Sequence, residues 1–338
     1  MLRPLRVLNA VKLKRFKMDK FLSCDWGTSF FRLRLVRYEN LEVIAEEKND
    51  EGIAKTFTSW KNQGAEAGKR QAFYQSVITK SIQILSQRLD YSLAGIPVII
   101  SGMAASNIGM IELPYKEIPV ATDGSDFEIK ELVIEEVENP FIIISGIKTT
   151  NDVIRGEETK IVGCSSHFTD DDEKFLIFTG THPKHVTIES KKVIAIKTYM
   201  TGEFFNLLIN HSVLASSVKI DANFDDPSNQ RNFKEGVKDS LKSNLLQSAF
   251  GVRTNDILKN IPRENNFNYL SGLLIGTELR DVLNCKYPIY LCGGGDLICY
   301  YKSAFDILGI NVFMEIDADT ALLNGQKRIY SHYLGGNL

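Results

Sequence analysis

Short apolar runs that stop at small residues recur along this chain and set its expected elements. Residues 21–25 are apolar and end at Gly27-Thr28, after which bulky and basic residues alternate over 30–36. Two strands around a small-residue turn are predicted. Phe73, Val77, Ile78, Ile82 and Leu85 have helical spacing within 71–89, followed by a buried strand at 96–100 and another at 141–144. A helix is predicted from Asn151-Asp152 through Glu157 to Cys164, weakened by Gly156. Residues 168–174 carry four consecutive acids, Asp170 to Glu173, and read as an exposed loop between lobes. Beyond them come strands at 175–179 and 186–188, helices at 202–214 and 233–246, and an apolar-rich helical stretch at 267–283. A strand at 289–292 then leads to a helix over 297–308, and a β-like piece at 311–316 precedes a closing helix at 320–332. The class this predicts is mixed α/β.

Two segments share one plan. FLSCDWGTS and FLIFTGTHP each read as strand, Gly-Thr turn and returning strand, with Phe21 and Phe175 154 positions apart. The expected division is an N-terminal lobe over 18–167 and a C-terminal lobe over 168–338. Residues 1–17 are basic without an acid and faintly resemble a transit peptide. They are read instead as a disordered extension, with Met18 as the initiator.

The 338 residues allow two packed lobes, and 43% hydrophobic with 24% charged content describes a globular chain. A net charge of −2 and the lack of a basic stripe give no case for nucleic acid. No apolar run approaches the ~20 residues of a membrane span. Five scattered cysteines without a CxxC pair fit reduced thiols, hence a cytoplasmic setting. The sequence leaves a homodimer open.

The candidate chemistry lies in three turns that each follow an apolar strand: Asp25-Trp26-Gly27-Thr28-Ser29, Gly180-Thr181-His182, and Gly293-Gly294-Gly295 opening a helix. Glycine lets a backbone approach a ligand, and amides with Thr or Ser hydroxyls bind phosphate oxygens. An acid beside such a turn, Asp25, suggests Mg²⁺ held through water. Each turn alone also reads as ordinary punctuation. Walker-type loops, GxGxxG and HExxH are absent, and His182 with His185 lacks a carboxylate partner for a metal. Phosphoryl transfer to a hydroxyl needs a carboxylate, and the local sources are Asp152, Glu157 and Glu158. Glu157 and Glu158 point about 100° apart on a helix, so one of them faces the cleft. Arg155 is a candidate for a bidentate grip on a substrate carboxylate. A solvated cluster pairing Arg155 and Lys160 with the acids is the plain alternative.

DWGT, SGMAASNIGMIELPY, RGEET, GTHPKH, TGE, SGLLIG and CGGG occur in the order seen in 2-dehydro-3-deoxygalactonokinases, and the chain resembles that family from about Phe21 to about Arg328. DWGT alone marks only the wider superfamily. The resemblance implies an actin/hexokinase-type fold of two ribonuclease-H-like lobes, with ATP and Mg²⁺ between them. It implies phosphorylation of the 6-hydroxyl of 2-dehydro-3-deoxy-D-galactonate, a step of galactonate breakdown. By resemblance Asp25, Gly27, Thr28 and Ser29 form the first phosphate motif, and Gly180, Thr181 and His182 the second. Gly293 to Gly295 match the adenosine region, while Ser106, Asn107 and Tyr115 fall near the sugar acid. RGEET is also similar to a segment of exopolyphosphatases in which a glutamate is the acid/base, and Asn151-Asp152 resembles the pair of glucokinase-like enzymes. Glu157 is therefore placed first as the base, Asp152 second and Glu158 third.

Pro183-Lys184-His185, Ala105-Ser106 and Met110 depart from the family's usual residues, which leaves the substrate epimer less secure than the ATP machinery. A related 2-keto-3-deoxy sugar-acid kinase, an exopolyphosphatase-like phosphohydrolase and a non-catalytic nucleotide or sugar-acid binder stand as alternatives.

Overall fold

The computed structural model describes residues 19–64, 67–134, 137–168, 172–220 and 223–336. The expected extension at 1–17 lies outside the described residues, as do positions 169–171 of the acidic segment.

The first sheet contains β1 (Lys20–Trp26), β2 (Phe31–Arg37), β3 (Val43–Asn49) and β4 (Val98–Gly102). After the short β5 (Lys116–Glu117) and β6 (Val120–Ala121), β7 (Ile129–Ile134) and β8 (Val137–Ile144) complete it. The order across it is β3-β2-β1-β4-β8-β7. β9 (Ile147–Lys148) and β10 (Val153–Ile154) join β5 in a small three-stranded sheet. The second large sheet comprises β11 (Lys174–Phe178), β12 (Lys184–Glu189), β13 (Lys192–Thr198), β14 (Ile289–Gly293) and β15 (Val312–Asp317), in the order β15-β14-β11-β12-β13-β6.

In the first sheet β1, β2 and β3 form an antiparallel meander, β4 lies parallel to β1, and β8 parallel to β4. In the second, β11, β12 and β13 repeat the meander, with β14 parallel to β11 and β15 parallel to β14. The strand–turn–strand recurrence read from the sequence is thus the opening of a repeated topology, the doubled ribonuclease-H-like plan of the actin/hexokinase class.

Because successive strand residues face opposite ways, each sheet has two apolar faces to cover. On the first, Leu22, Cys24, Leu33 and Ile100 pack under Ile53 of α1 (Ile53–Asn62) and Tyr74, Ile78 and Leu85 of α2 (Arg70–Leu89). Its other face, with Phe21, Ile99 and Ile142, meets Val162 of α3 (Glu157–Cys164). In the second sheet Leu176, Tyr290 and Ile316 meet Ile161 and Cys164 of the same α3. Its far face is covered by α5 (Pro227–Ser240), α8 (Arg263–Leu279) and α9 (Leu297–Leu308), with Phe233, Val237, Ile275 and Phe305 in the core, while α4 (Thr201–His211), α6 (Leu245–Ala249) and α7 (Gly251–Lys259) pack on α8 around Leu270 and Leu274.

The last helix, α10 (Ala318–Gly336), contributes Leu323 and Ile329 to the first sheet's core and Ala321 to the second's. α3 and α10 therefore form one shared layer between the sheets. They cross at glycines: a Cβ built on Gly163 would stand 1.7 Å from the Ala321 carbonyl oxygen, and one on Gly325 1.8 Å from that of Thr159. Backbone meets backbone here.

Two sequence expectations need correction. The helix expected from 151 begins only at Glu157, because Gly156, at φ 111°, leaves the right-handed helical region and backs onto Gly102, while 153–154 form a strand. The helix expected over 233–246 begins at Pro227, where Asp226 Oδ1 accepts from the amides of Ser228 (2.7 Å) and Asn229 (3.2 Å), and ends at Ser240. β3 and β13 escaped the pattern reading because they lie toward sheet margins and carry many exposed positions. Among the described residues no helix is long and apolar enough to cross a membrane.

Candidate active site

The turns sit at the carboxyl ends of parallel strands, where open α/β sheets bind ligands. Trp26 on β1 pairs with Gly102 on β4, and Phe178 on β11 with Cys292 on β14. The carbonyls of Gly27 and Thr28 accept from the amides of Ile53 (3.0 Å) and Ala54 (3.1 Å), at the start of α1. Likewise the Thr181 carbonyl accepts from the amides of Gly202 (3.0 Å) and Glu203 (3.3 Å), at the start of α4. Each Gly-Thr turn is thus anchored by the first turn of a following helix, leaving Thr28, Ser29, Thr181 and His182 exposed. The His182 ring nitrogen lies 2.5 Å from Glu203. A Cβ built on Gly180, Gly294 or Gly295 would meet nothing within 4 Å, so the backbone there stays open to close approach.

Charged side chains tie the surroundings of the turns together. Asp25 pairs with Arg32 at 3.1 Å, and Arg32 (2.6 Å) and Arg34 (2.6 Å) both grip Asp319. Asp319 lies two residues beyond Asp317, which pairs with Gly293. Lys184 donates to the His182 carbonyl (2.5 Å) and lies 3.3 Å from Glu157. Gly156 backs onto Gly102, which pairs with Trp26 at the end of β1, and Glu157 opens its helix just beyond that contact.

The three candidate acids have separate environments. Asp152 accepts from the Thr198 amide (2.6 Å), the Thr198 hydroxyl (2.8 Å) and the Val153 amide (2.7 Å), fastening the segment before β10 to β13. It is not at a helix start. Glu158 has no exposed surface; it accepts from the Gly156 amide (2.5 Å) and the Thr159 hydroxyl (3.0 Å). Burial, reinforced by the charge of Glu157, pushes its pKa from the ordinary 4.5 up to about 7. Glu157 keeps 25% of its side chain exposed.

The raised pKa of Glu158 carries a stability prediction. Folding binds its proton more tightly, so stability from this group falls as pH rises from about 4.5 to about 7. Glu158→Gln should gain up to roughly 3 kcal/mol over the parent at pH 8, with no gain below pH ~4.5. Melting curves of both proteins across this range check it; parallel profiles would refute it.

Around the expected sugar-acid region, Ser106 is buried and its hydroxyl donates to the Met103 carbonyl (2.7 Å). Asn107 is exposed, and its carbonyl accepts from Arg70 (2.5 Å). The Arg155 guanidinium lies 4.0 Å from the centre of the Tyr115 ring and donates to the Leu113 carbonyl (3.2 Å). Arg155 is only 9% exposed, yet its Nε and Nη1 have no partner. Buried guanidinium donors left open are costly.

Sequence reasoning missed a second tier. His185 lies 3.0 Å from Glu278, which also accepts from the hydroxyls of Thr201 (2.5 Å) and Tyr301 (2.7 Å). This buried group links β12, α4 and α8 behind the second turn. Its signal was the presence of TGE and of an acid after SGLLIG; nothing local marked Asp319. Among the described residues no group of three His, Cys, Asp or Glu is arranged to hold a metal. A magnesium ion carried by phosphates needs no such group, because one carboxylate and water complete its shell.

The family model described as 2-keto-3-deoxy-galactonokinase matches residues 25–329. The 2-dehydro-3-deoxygalactonokinase of Escherichia coli (strain K12) is 28% identical over 318 residues, covering 92% of this chain and 97% of that protein. A candidate 2-dehydro-3-deoxygalactonokinase of Rhizobium meliloti (strain 1021) is 29% identical over 317 residues, covering 90% and 94%. A crystal structure of a candidate enzyme of the same name from Sinorhizobium meliloti superposes with a TM-score of 0.75 at 26% identity, covering 92% of this chain and 95% of that one. With nearly its whole length matched, two topologically repeated sheets and the glycine turns at their carboxyl edges, this chain belongs to the 2-keto-3-deoxy-galactonokinase family.

Proposed function

We propose that this protein is an ATP-dependent sugar-acid kinase that phosphorylates the 6-hydroxyl of 2-dehydro-3-deoxy-D-galactonate. The observation that supports the reading is the link from Glu157 to the second Gly-Thr turn: Lys184, 3.3 Å from the partly exposed Glu157, also donates to the His182 carbonyl. Open glycine backbone at Gly180, Gly294 and Gly295 suits a nucleotide. The unpartnered donors of Arg155 suit a carboxylate, two residues from Glu157.

In this reading the amides and hydroxyls of Gly27, Thr28, Ser29, Gly180 and Thr181 bind the donor's phosphates, His182 flanks them, and Gly293 to Gly295 receive the adenosine side. Asp25 would hold Mg²⁺ through water, and Mg²⁺ would supply charge neutralisation on the phosphates. Arg155 over Tyr115 orients the sugar's carboxylate, with Ser106 and Asn107 bordering the same region. Glu157 accepts the hydroxyl proton. Asp152 holds the segment leading to α3, and Glu158 steadies the Gly156 peptide. Lobes divided near residue 168 close over the substrates to exclude water. We place the enzyme in the cytoplasm, in keeping with its five free cysteines; a homodimer is compatible with this reading.

The test is ADP formation from ATP and Mg²⁺ across a panel of 2-keto-3-deoxy sugar acids. Turnover on the galactonate derivative is expected, with little ADP formed when no acid is added. Absence of ADP across the panel would refute the reading, and phosphate release without any sugar would favour a phosphohydrolase. Arg155→Lys is expected to raise KM for the sugar acid about 10–100-fold with a smaller change in kcat, because a point charge replaces a bidentate fork. An unchanged KM would remove Arg155 from substrate binding.

A further inference from the structure

We infer that Lys160 is a further catalytic residue of this reaction, its ammonium contacting the phosphoryl group in transit; the inference rests on the kinase reading above. Lys160 follows Glu157 by three residues on α3, so the two side chains share one helix face. The titratable groups that act on it come from every neighbouring element: Asp25 of β1, Glu157 of α3, Cys292 of β14 and Arg32 of β2.

Three neighbouring cations already hold acids. Arg32 holds Asp25 and Asp319, Arg34 holds Glu46 and Asp319, and Lys184 holds Glu157 and the His182 carbonyl. Asp25 and Glu157 therefore already have counter-ions, and neither needs Lys160 for neutralisation. Among the described residues the Lys160 ammonium makes no hydrogen bond and no ion pair, although the side chain is partly buried. Burial opposes its charge, but its surroundings, Asp25 first and then Glu157, bring its pKa above the ordinary lysine value. A charged, uncommitted ammonium near both the acid of the first phosphate turn and the acid facing the sugar hydroxyl has one chemical use here. It meets negative charge that arrives with the donor.

In the transfer, the bond from the γ-phosphorus to the β–γ bridging oxygen breaks, and its electron pair leaves on ADP. A bond forms from that phosphorus to the sugar oxygen, and the hydroxyl proton passes to Glu157. The equatorial oxygens carry the charge that Lys160 stabilises.

Calorimetric titration with ADP and with the non-hydrolysable β,γ-imido analogue of ATP tests this without turnover. Lys160→Met should bind ADP within about threefold of the parent but the triphosphate analogue about 10–100-fold more weakly, the loss typical of one charge-assisted hydrogen bond. Lys160→Arg should recover part of that preference. Equal weakening for both nucleotides would reduce Lys160 to a structural role and overturn the inference, as would unchanged affinity for both. If the Met variant does not fold, Lys160→Gln and Lys160→Arg carry the same comparison. A parent protein that binds neither nucleotide would overturn the kinase reading as well, whereas a parent that binds both beside a variant with intact triphosphate preference overturns only the role of Lys160.

Discussion

Glu157→Gln is expected to lower kcat by about 10²–10⁴-fold, the span ordinarily lost with a general base. The amide keeps the size of the side chain but accepts no proton at neutral pH. Its neighbours lose little: the 3.3 Å approach of Lys184 weakens, while Lys184 retains the His182 carbonyl. Glu158, which steadies the Gly156 peptide, is untouched. The fold should therefore persist, with nucleotide affinity near that of the parent. Steady-state ADP formation, read alongside circular dichroism and melting, separates chemistry from folding. A variant turning over within about threefold of the parent would exclude Glu157 as the base, since such a change is well under the contribution of proton transfer.

The largest stability effect is expected at the crossing of α3 and α10. In Gly163→Ala the new methyl would stand 1.7 Å from a carbonyl oxygen, and in Gly325→Ala 1.8 Å. Both obstacles are backbone, which cannot rotate aside, so the helices must separate. We expect each variant to lose about 3 kcal/mol or more, the upper range of overpacking costs. The double variant should lose less than the sum, because the first methyl already parts the same pair. Gly335→Ala, on α10 but with nothing within 4 Å of its added carbon, serves as a near-neutral control. Denaturant titration measures the parent and all four variants, and a Gly163→Ala curve that overlays the parent's would refute the account of the crossing.

What the sequence disclosed and what it hid divide along range of interaction. The hairpins and the helix at Leu297–Leu308 were legible because apolar spacing and glycine punctuation are local signals. The start of α3 was misplaced because its cause is not local: Gly156 abuts Gly102, and Asp152 is drawn to Thr198, 46 residues away. Arg32 was visible only as one of the basic residues alternating along a strand, since its partner Asp319 lies 287 residues on. SGLLIG served as a family mark, and its physical basis is packing. A Cβ on Gly272 would fall 2.1 Å from the Phe233 carbonyl oxygen of α5. Of the candidate acids, helical geometry said only that Glu157 and Glu158 face different ways, and the family resemblance ranked them; which one met solvent required the surrounding fold.

The glycine crossing also bears on how defects will present. Neighbouring helices usually keep their axes about 8–10 Å apart, and here the absence of two methyls brings them closer. α3 and α10 reach into the cores of both sheets, and β1 and β11 of those sheets run into the two Gly-Thr turns. A substitution at the crossing that still folds is therefore expected to show as weakened nucleotide retention, although its origin lies in the shared helix layer.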